Sequence, residues 1–200
     1  MKRFLTACLL LAWATSATAA TVYDTITGKP TTTVALLIQP TSTMAMVFQS
    51  GGTGTVASVD VDVSNVFATQ TANLRFGFFA DGTTAPGAML GDWVSVSVAT
   101  DGLKTLTGFG AGAALSSGQT YWLVGEHVSG AVGVWKQNTV ANAGPSNLWF
   151  DQGGGWDEST GELRAIVTVT PPAVPLPAGA PLLLAGLAAF AVLRRRAARA

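Results

Sequence analysis

The stretch Val59-Asp60-Val61-Asp62-Val63-Ser64 alternates a β-branched apolar residue with a polar one. Successive side chains of a β-strand point to opposite faces of the sheet. This period of two therefore predicts a strand whose valines enter a core while Asp60, Asp62 and Ser64 face water. A sheet with one buried and one solvated face is typical of antiparallel β proteins.

Similar short runs lie on both sides of this stretch. Leu74–Phe79 and Val94–Val98 also alternate. Further strands are expected at Val34–Ile38, Met44–Phe48, Leu103–Phe109, Thr120–His127, Val132–Lys136 and Leu163–Thr170. Turn residues such as Asp81-Gly82 separate the runs, and no long helical periodicity interrupts them. The pattern predicts an all-β fold, an antiparallel β-sandwich or jelly-roll-like domain over residues 20–170.

Composition and charge exclude two classes of protein. With 48% hydrophobic and 11% charged residues, the chain is too apolar to be disordered. All 11 acidic residues lie between Asp24 and Glu162, and only five basic residues lie between Asp24 and Arg164. The body therefore carries a formal balance of −6. Nucleic-acid binding needs a basic footprint, so no nucleic-acid partner is expected.

The N-terminus has the form of a secretory signal peptide at residues 1–19. Lys2 and Arg3 precede the apolar stretch Phe4–Ala14, and Ala17-Thr18-Ala19 offers small residues for cleavage. We expect export through the Sec machinery, cleavage by signal peptidase and a mature chain that begins near Ala20. An uncleaved anchor is the alternative, which the short apolar stretch disfavours. The only cysteine, Cys8, would leave with the signal, so no disulfide is expected in the body.

The C-terminus has three parts in order. Val174-Pro175-Leu176-Pro177-Ala178 follows Pro171 and Pro172, which makes residues 171–177 a stiff linker and motif. The apolar run from Leu176 to Leu193 then covers 18 residues. As a helix it would span ~27 Å, enough for a thin bilayer core. Arg194, Arg195, Arg196 and Arg199 close the chain. Residues 178–200 are therefore predicted to form a single transmembrane helix and an arginine-rich tail that stays cytoplasmic.

This C-terminal end resembles the PEP-CTERM class of bacterial sorting signals, in its VPLPA-CTERM variant, over Val174 to Ala200. Val174–Ala178 matches the name of the variant residue for residue. The resemblance implies cutting near the motif by an exosortase in a Gram-negative bacterium that makes exopolysaccharide. It further implies transient anchoring in the inner membrane and delivery to the cell surface or extracellular matrix. A plain single-pass anchor that is never cut is the alternative.

The body resembles the choice-of-anchor domains, particularly type R. Phe78-Phe79-Ala80-Asp81-Gly82 followed by Pro86-Gly87-Ala88-Met89-Leu90 is similar to the middle of these domains. The segment Leu115–Leu123, with Tyr121-Trp122, is similar to one of their strand entries. Val134-Trp135 and Gly155-Trp156 fit later positions loosely. The resemblance implies an extracellular bacterial β domain and carries over no catalytic residue.

Catalytic motifs are scarce in the body. His127 is its only histidine, and the Gly-x-Ser-x-Gly pattern of a nucleophile elbow is missing from the sequence. Asp60 and Asp62 share a strand face, as the paired carboxylates of a glycoside hydrolase can. The alternation of valine and aspartate in a half-exposed strand already explains their position, so we assign them no catalytic role. We therefore expect a protein that is not an enzyme and needs no cofactor.

Acidic residues gather in the glycine-rich segment Phe150–Glu162. The carboxylates of Asp151, Asp157, Glu158 and Glu162 are hard oxygen ligands of the kind that Ca²⁺ takes. The EF-hand pattern is missing from this segment. We therefore interpret the segment as a solvated acidic hairpin, with Ca²⁺ binding as the alternative, and no metal site is expected.

The tryptophans give the best indication of binding. Trp149 and Trp156 flank the glycine-rich segment, where exposed indoles could stack on sugar rings. Trp122 and Trp135 are assigned to the core. The sequence thus predicts a non-enzymatic exported surface or matrix protein. The alternative is a carbohydrate-binding module that engages exopolysaccharide through Trp149 and Trp156.

Overall fold

The computed structural model of the protein describes residues 18–29, 31–67, 69–138 and 148–173. These ranges contain thirteen strands and no helix. Accordingly, no helix among them has the length and apolarity needed to cross a membrane. Most of the predicted signal peptide, the sorting motif Val174–Ala178 and the predicted C-terminal helix lie outside the described residues.

The strands form two antiparallel sheets, which confirms the all-β prediction. One sheet contains β1 (Ala20–Asp24), β2 (Thr31–Ile38), β4 (Gly54–Asn65), β7 (Gly102–Leu106), β8 (Ala114–Leu115), β10 (Gly133–Asn138) and β13 (Ala165–Thr170). The other contains β3 (Thr43–Gln49), β5 (Ala72–Asp81), β6 (Pro86–Val98), β9 (Thr120–Gly130), β11 (Leu148–Asp151) and β12 (Trp156–Ser159).

The order of strands makes β4 the centre of the first sheet and β9 a central strand of the second. The seven-stranded sheet runs β1-β13-β4-β10-β2, and β7 and β8 also pair with β4. The six-stranded sheet runs β12-β11-β3-β9-β5-β6. The second order decides which outward-facing side chains share a surface, because pairing register sets which residues stand side by side.

One core lies between the two sheets. Val59, Val61 and Val63 are fully buried there, as the alternating pattern predicts. From the six-stranded sheet, Phe76 and Phe78 join the same cluster. The ring of Trp135 meets Phe76 edge-on at 5.2 Å, and its indole nitrogen donates a 2.9 Å hydrogen bond to the Arg164 carbonyl. Because both sheets bury side chains in this one core, the fold is sandwich-like.

The prediction that the polar residues of this stretch face water is wrong for Asp62 and Ser64, which are 6% and 8% exposed. Asp62 points away from the core, but cationic side chains from neighbouring segments cover it. Arg164 Nε lies 2.9 Å from Asp62 Oδ2, and Lys136 Nζ lies 3.4 Å from Oδ1. Asp60 remains half-exposed and accepts a hydrogen bond from the Thr105 hydroxyl.

Four strands have no counterpart among the predictions: β1, β8, β11 and β12. The last two form an antiparallel hairpin at the glycine-rich segment, which agrees with the acidic hairpin expected there, although no strand bounds were predicted for it. β11 and β12 are four residues long and β8 is only two, so these strands are too short to show a clear alternation of apolar and polar residues. Pairing of β11 with β3 and of β8 with β4 stabilises these short strands.

Candidate functional site

A second apolar cluster lies on the face of the six-stranded sheet that points away from the core. On β9, Tyr121 and Leu123 belong to the core, whereas Trp122 and Val124 belong to this second cluster, as strand alternation requires. Its members are the buried Ala45, Trp122 and Val124 and the partly buried Val47, Phe79, Trp93, Trp149 and Trp156. We call it the outer aromatic cluster.

Small residues on three central strands make room for the large rings. Trp149 of β11 pairs with Ala45 of β3, Ala45 pairs with Val124 of β9, and Val124 pairs with Gly77 of β5. The ring of Trp93 lies flat on Gly77, since a Cβ atom there would stand 2.9 Å from its Cε3 and 3.1 Å from its Cζ3. The indoles can therefore lie against the sheet instead of standing away from it.

Trp122, Trp149 and Trp156 form one half of the cluster, the Trp122 group. The ring centre of Trp122 lies 5.1 Å from that of Trp149 and 5.9 Å from that of Trp156. Trp122 itself is fully buried, and its indole nitrogen donates a 2.9 Å hydrogen bond to Asp81 Oδ1. A fixed, buried indole therefore supports two partly exposed ones, an arrangement that limits the motion of both.

The other half, the Trp93 group, consists of Trp93, Phe79 and Arg75. Phe79 meets Trp93 with ring centres 5.5 Å apart. The guanidinium carbon of Arg75 lies over the Trp93 ring, 4.5 Å from its centre. Arg75 Nε also donates a 2.8 Å hydrogen bond to Glu126 Oε2, which holds the guanidinium in place. This group combines apolar surface with charged hydrogen-bonding groups.

Acidic residues dominate the six described strands that carry the cluster. Arg75 is the only lysine or arginine in these strands, and its charge is paired with Glu126. Glu158 stands opposite Trp149 in the β11–β12 hairpin, and Asp151 stands opposite Trp156. The surface around the indoles is therefore negative, which favours uncharged or cationic ligands over anions.

The structure brings together the two tryptophans that the sequence suggested for sugar binding, Trp149 and Trp156. The assignments of Trp122 and Trp135 to the core are confirmed, since both side chains are fully buried, although they lie in different clusters. Trp122 is buried, yet on the outer face. Sequence reasoning missed the Trp93 group. A signal was available, because Phe79 and Trp93 fall on the polar phase of their alternating strands.

The four carboxylates suggested for Ca²⁺ do not converge. Asp151 Oδ1 accepts hydrogen bonds from the backbone nitrogens of Gly153 and Gly155, and Glu162 pairs with Lys29 at 2.8 Å. Asp157 and Glu158 are consecutive on β12 and so point to opposite faces. Among the residues described, no three His, Cys, Asp or Glu side chains are grouped to hold a metal ion.

His127 lies within β9, which continues beyond the predicted end at His127 to Gly130. Its Nε2 atom is 3.1 Å from the Ala131 carbonyl oxygen and 3.3 Å from that of Gly130. The groups that this ring nitrogen meets are therefore backbone oxygens.

Comparison with known proteins assigns no family to this chain. No family model matches it, and no curated protein matches it. The function is therefore inferred from the residues of this chain, and the outer aromatic cluster is its candidate binding surface.

Proposed function

We propose that the protein is a non-enzymatic, exported component of the surface or extracellular matrix of a Gram-negative bacterium. The signal-like residues 1–19 support export, and Val174–Ala178 with the apolar run and closing arginines supports sorting by an exosortase. In this proposal residues 178–200 hold the chain in the inner membrane until it is cut near Ala178. The β-sandwich is then the part delivered outside.

Intact mass of the protein recovered from the outer surface and medium of its host tests this route. The expected species lacks residues 1–19 and everything beyond about Ala178. A variant in which Pro175, Leu176 and Pro177 are replaced by alanine keeps the helix and arginines, and it should stay in the membrane at its uncut mass. Wild-type protein with an intact C-terminus would mean a plain anchor and would overturn the sorting proposal.

A second candidate function, carbohydrate binding by the sandwich, is favoured by one observation. Trp149 and Trp156 are both partly exposed and both rest on the buried Trp122. The apolar face of a sugar ring packs well on an indole face. Because Trp122 already holds these rings, little side-chain entropy is lost when a sugar binds. In this proposal the ligand is exopolysaccharide, and the Trp122 group is the contact.

Titration calorimetry with exopolysaccharide from the host and with purified neutral glycans tests this second candidate. Trp149→Ala and Trp156→Ala should each weaken binding about tenfold or more, which corresponds to at least ~1.4 kcal/mol. Leu103→Ala is the matched control, because Leu103 is a 53% exposed apolar residue on the other sheet. Equal binding by all four proteins would remove the Trp122 group from the function.

A further inference from the structure

We propose that the Trp93 group is a second sugar subsite, so that the outer aromatic cluster binds an extended, uncharged polysaccharide chain lying across the strands. The inference rests on the proposed carbohydrate binding and adds two things to it. It adds a second contact, made by Trp93, Phe79 and Arg75. It also names the ligand class, a neutral chain of several sugars.

The spacing of the two groups demands an elongated ligand. Trp149 is on β11 and Trp93 is on β6, with β3, β9 and β5 between them. Because the Trp93 ring lies on Gly77 of β5, it is three strand spacings, or about 14 Å, from β11, a distance wider than one sugar ring. Trp149, Ala45, Val124 and Gly77 are successive partners across the sheet, and the Trp93 ring covers Gly77. Trp149 and Trp93 therefore stand at opposite ends of one row, and Trp122 and Phe79 are partners in the adjacent row.

The Trp93 group offers both kinds of contact that a sugar needs. The ring of Trp93 is partly exposed and is fixed from below by Gly77 and from the side by Phe79. Arg75, whose side chain is 41% exposed, places its guanidinium over that ring, 4.5 Å from the ring centre, so its hydrogen-bond donors lie against the indole. A fixed ring with a polar neighbour is a common arrangement in ligand sites, where a few polar groups orient a ligand on an apolar surface.

A chain of exposed polar side chains continues from this group. Ser97 Oγ donates a 2.7 Å hydrogen bond to Asn73 Oδ1, and Asn73 Nδ2 donates a 3.0 Å bond to Ser129 Oγ. Hydroxyl and amide groups of this kind can exchange such bonds for bonds to sugar hydroxyls. They extend the polar border along β5, β6 and β9 beyond Arg75.

Charge selects among polysaccharides. On the face that carries the indoles, Asp151 and Glu158 stand opposite Trp156 and Trp149, and the charge of Arg75 is paired with Glu126. A polysaccharide with carboxylates would meet net repulsion beside the Trp122 group, whereas an uncharged chain would not. The occupant that fits the face is therefore a neutral polysaccharide.

The test uses the full chain in a detergent that carries no sugar, with neutral gluco-, manno-, galacto- and xylo-oligosaccharides from disaccharide to hexasaccharide as probes. For a glycan that binds, affinity should rise about tenfold or more from the shortest to the longest member. Trp93→Ala should remove that gain and leave the affinity for the disaccharide unchanged. Trp93→Tyr, which keeps an aromatic ring, should retain part of the gain, and Leu103→Ala should retain all of it.

Each contrary result has a distinct meaning. An unchanged gain in the Trp93→Ala variant, together with lost binding in Trp149→Ala, overturns the second subsite and leaves carbohydrate binding in place. Tighter binding of polygalacturonate than of any neutral glycan overturns the assignment of ligand class. Binding of no glycan at all overturns both proposals. Self-association of the protein through Trp93 and Trp149, without glycan binding, also overturns both. If Trp93→Ala lowers the melting temperature strongly, Phe79→Leu tests the same group.

Discussion

The indole nitrogen of Trp122 donates a 2.9 Å hydrogen bond to Oδ1 of Asp81, which ends the neighbouring strand β5. The same oxygen accepts a 2.9 Å hydrogen bond from the backbone nitrogen of Thr83. Thr83 has a φ of 77°, a left-handed conformation that costs energy for a residue other than glycine. One carboxylate oxygen thus fixes both Trp122, the buried ring of the outer aromatic cluster, and the turn that follows β5.

Asp81→Ala should destabilise the protein by about 1–3 kcal/mol, because the buried indole N–H of Trp122 loses its acceptor. Asp81→Asn is the matched variant, since its amide oxygen can still accept from both donors, and it should lose less. Urea unfolding followed by tryptophan fluorescence measures both. Equal stability of wild type and Asp81→Ala would mean that the Trp122 bond contributes nothing to folding.

Gly77→Ala should displace Trp93, because its Cβ would stand 2.9 Å from Cε3 of that ring. Overpacking of this kind costs typically ~1–3 kcal/mol. Gly154→Ala is the control, since nothing lies within 4 Å of its Cβ. Thermal unfolding compares the two variants. If both variants have the melting temperature of the wild type, the ring of Trp93 does not pack against Gly77.

Asp62→Ala should cost about 3–5 kcal/mol, because it leaves the buried guanidinium of Arg164 without its charged partner. Asp101→Ala is the contrast. Its carboxylate is 3.8 Å from Lys136 and 66% exposed, so its loss should cost no more than about 1 kcal/mol. Equilibrium unfolding of the two variants shows whether the buried ion pair contributes more to stability than the exposed one. Losses of unfolding free energy of similar size would contradict this explanation.

Acid should remove the stabilisation that Asp24 provides. Burial on its own raises the pKa of Asp24, but hydrogen bonds from Thr27 and Ile26 and the charge of Lys29 bring the pKa below its ordinary 3.8. Folding therefore favours the ionised form. Its contribution is complete above the ordinary pKa and disappears as pH falls through the lower folded-state pKa.

The measurement is a comparison of wild type with Asp24→Asn, which cannot ionise at this position. The difference in unfolding free energy between the two should be larger at about pH 6 than at about pH 3. A difference that stays constant over that range would mean that the Asp24 carboxylate is not stabilised by its contacts with Ile26 and Thr27.

Local pattern predicted much of the fold and half of the candidate site. Nine strands were expected, and the structure has a strand at each of these places. Trp149 and Trp156 were expected to be accessible because they flank a glycine-rich segment. The Trp93 group was missed, since a single aromatic residue on the polar phase of a strand is easily taken for core material. The signals proposed for the two termini remain predictions.

By itself the sequence determined that the body is built of β-strands and that Val59, Val61 and Val63 enter a core. These properties depend on neighbours one and two residues away, where side-chain alternation is decided. Only the tertiary structure decided that Asp62 is buried, because Arg164, which covers it, is 102 residues further along the chain. Only the tertiary structure placed Trp122, Trp149 and Trp93 on one face, because the order and register of strands depend on long-range pairing.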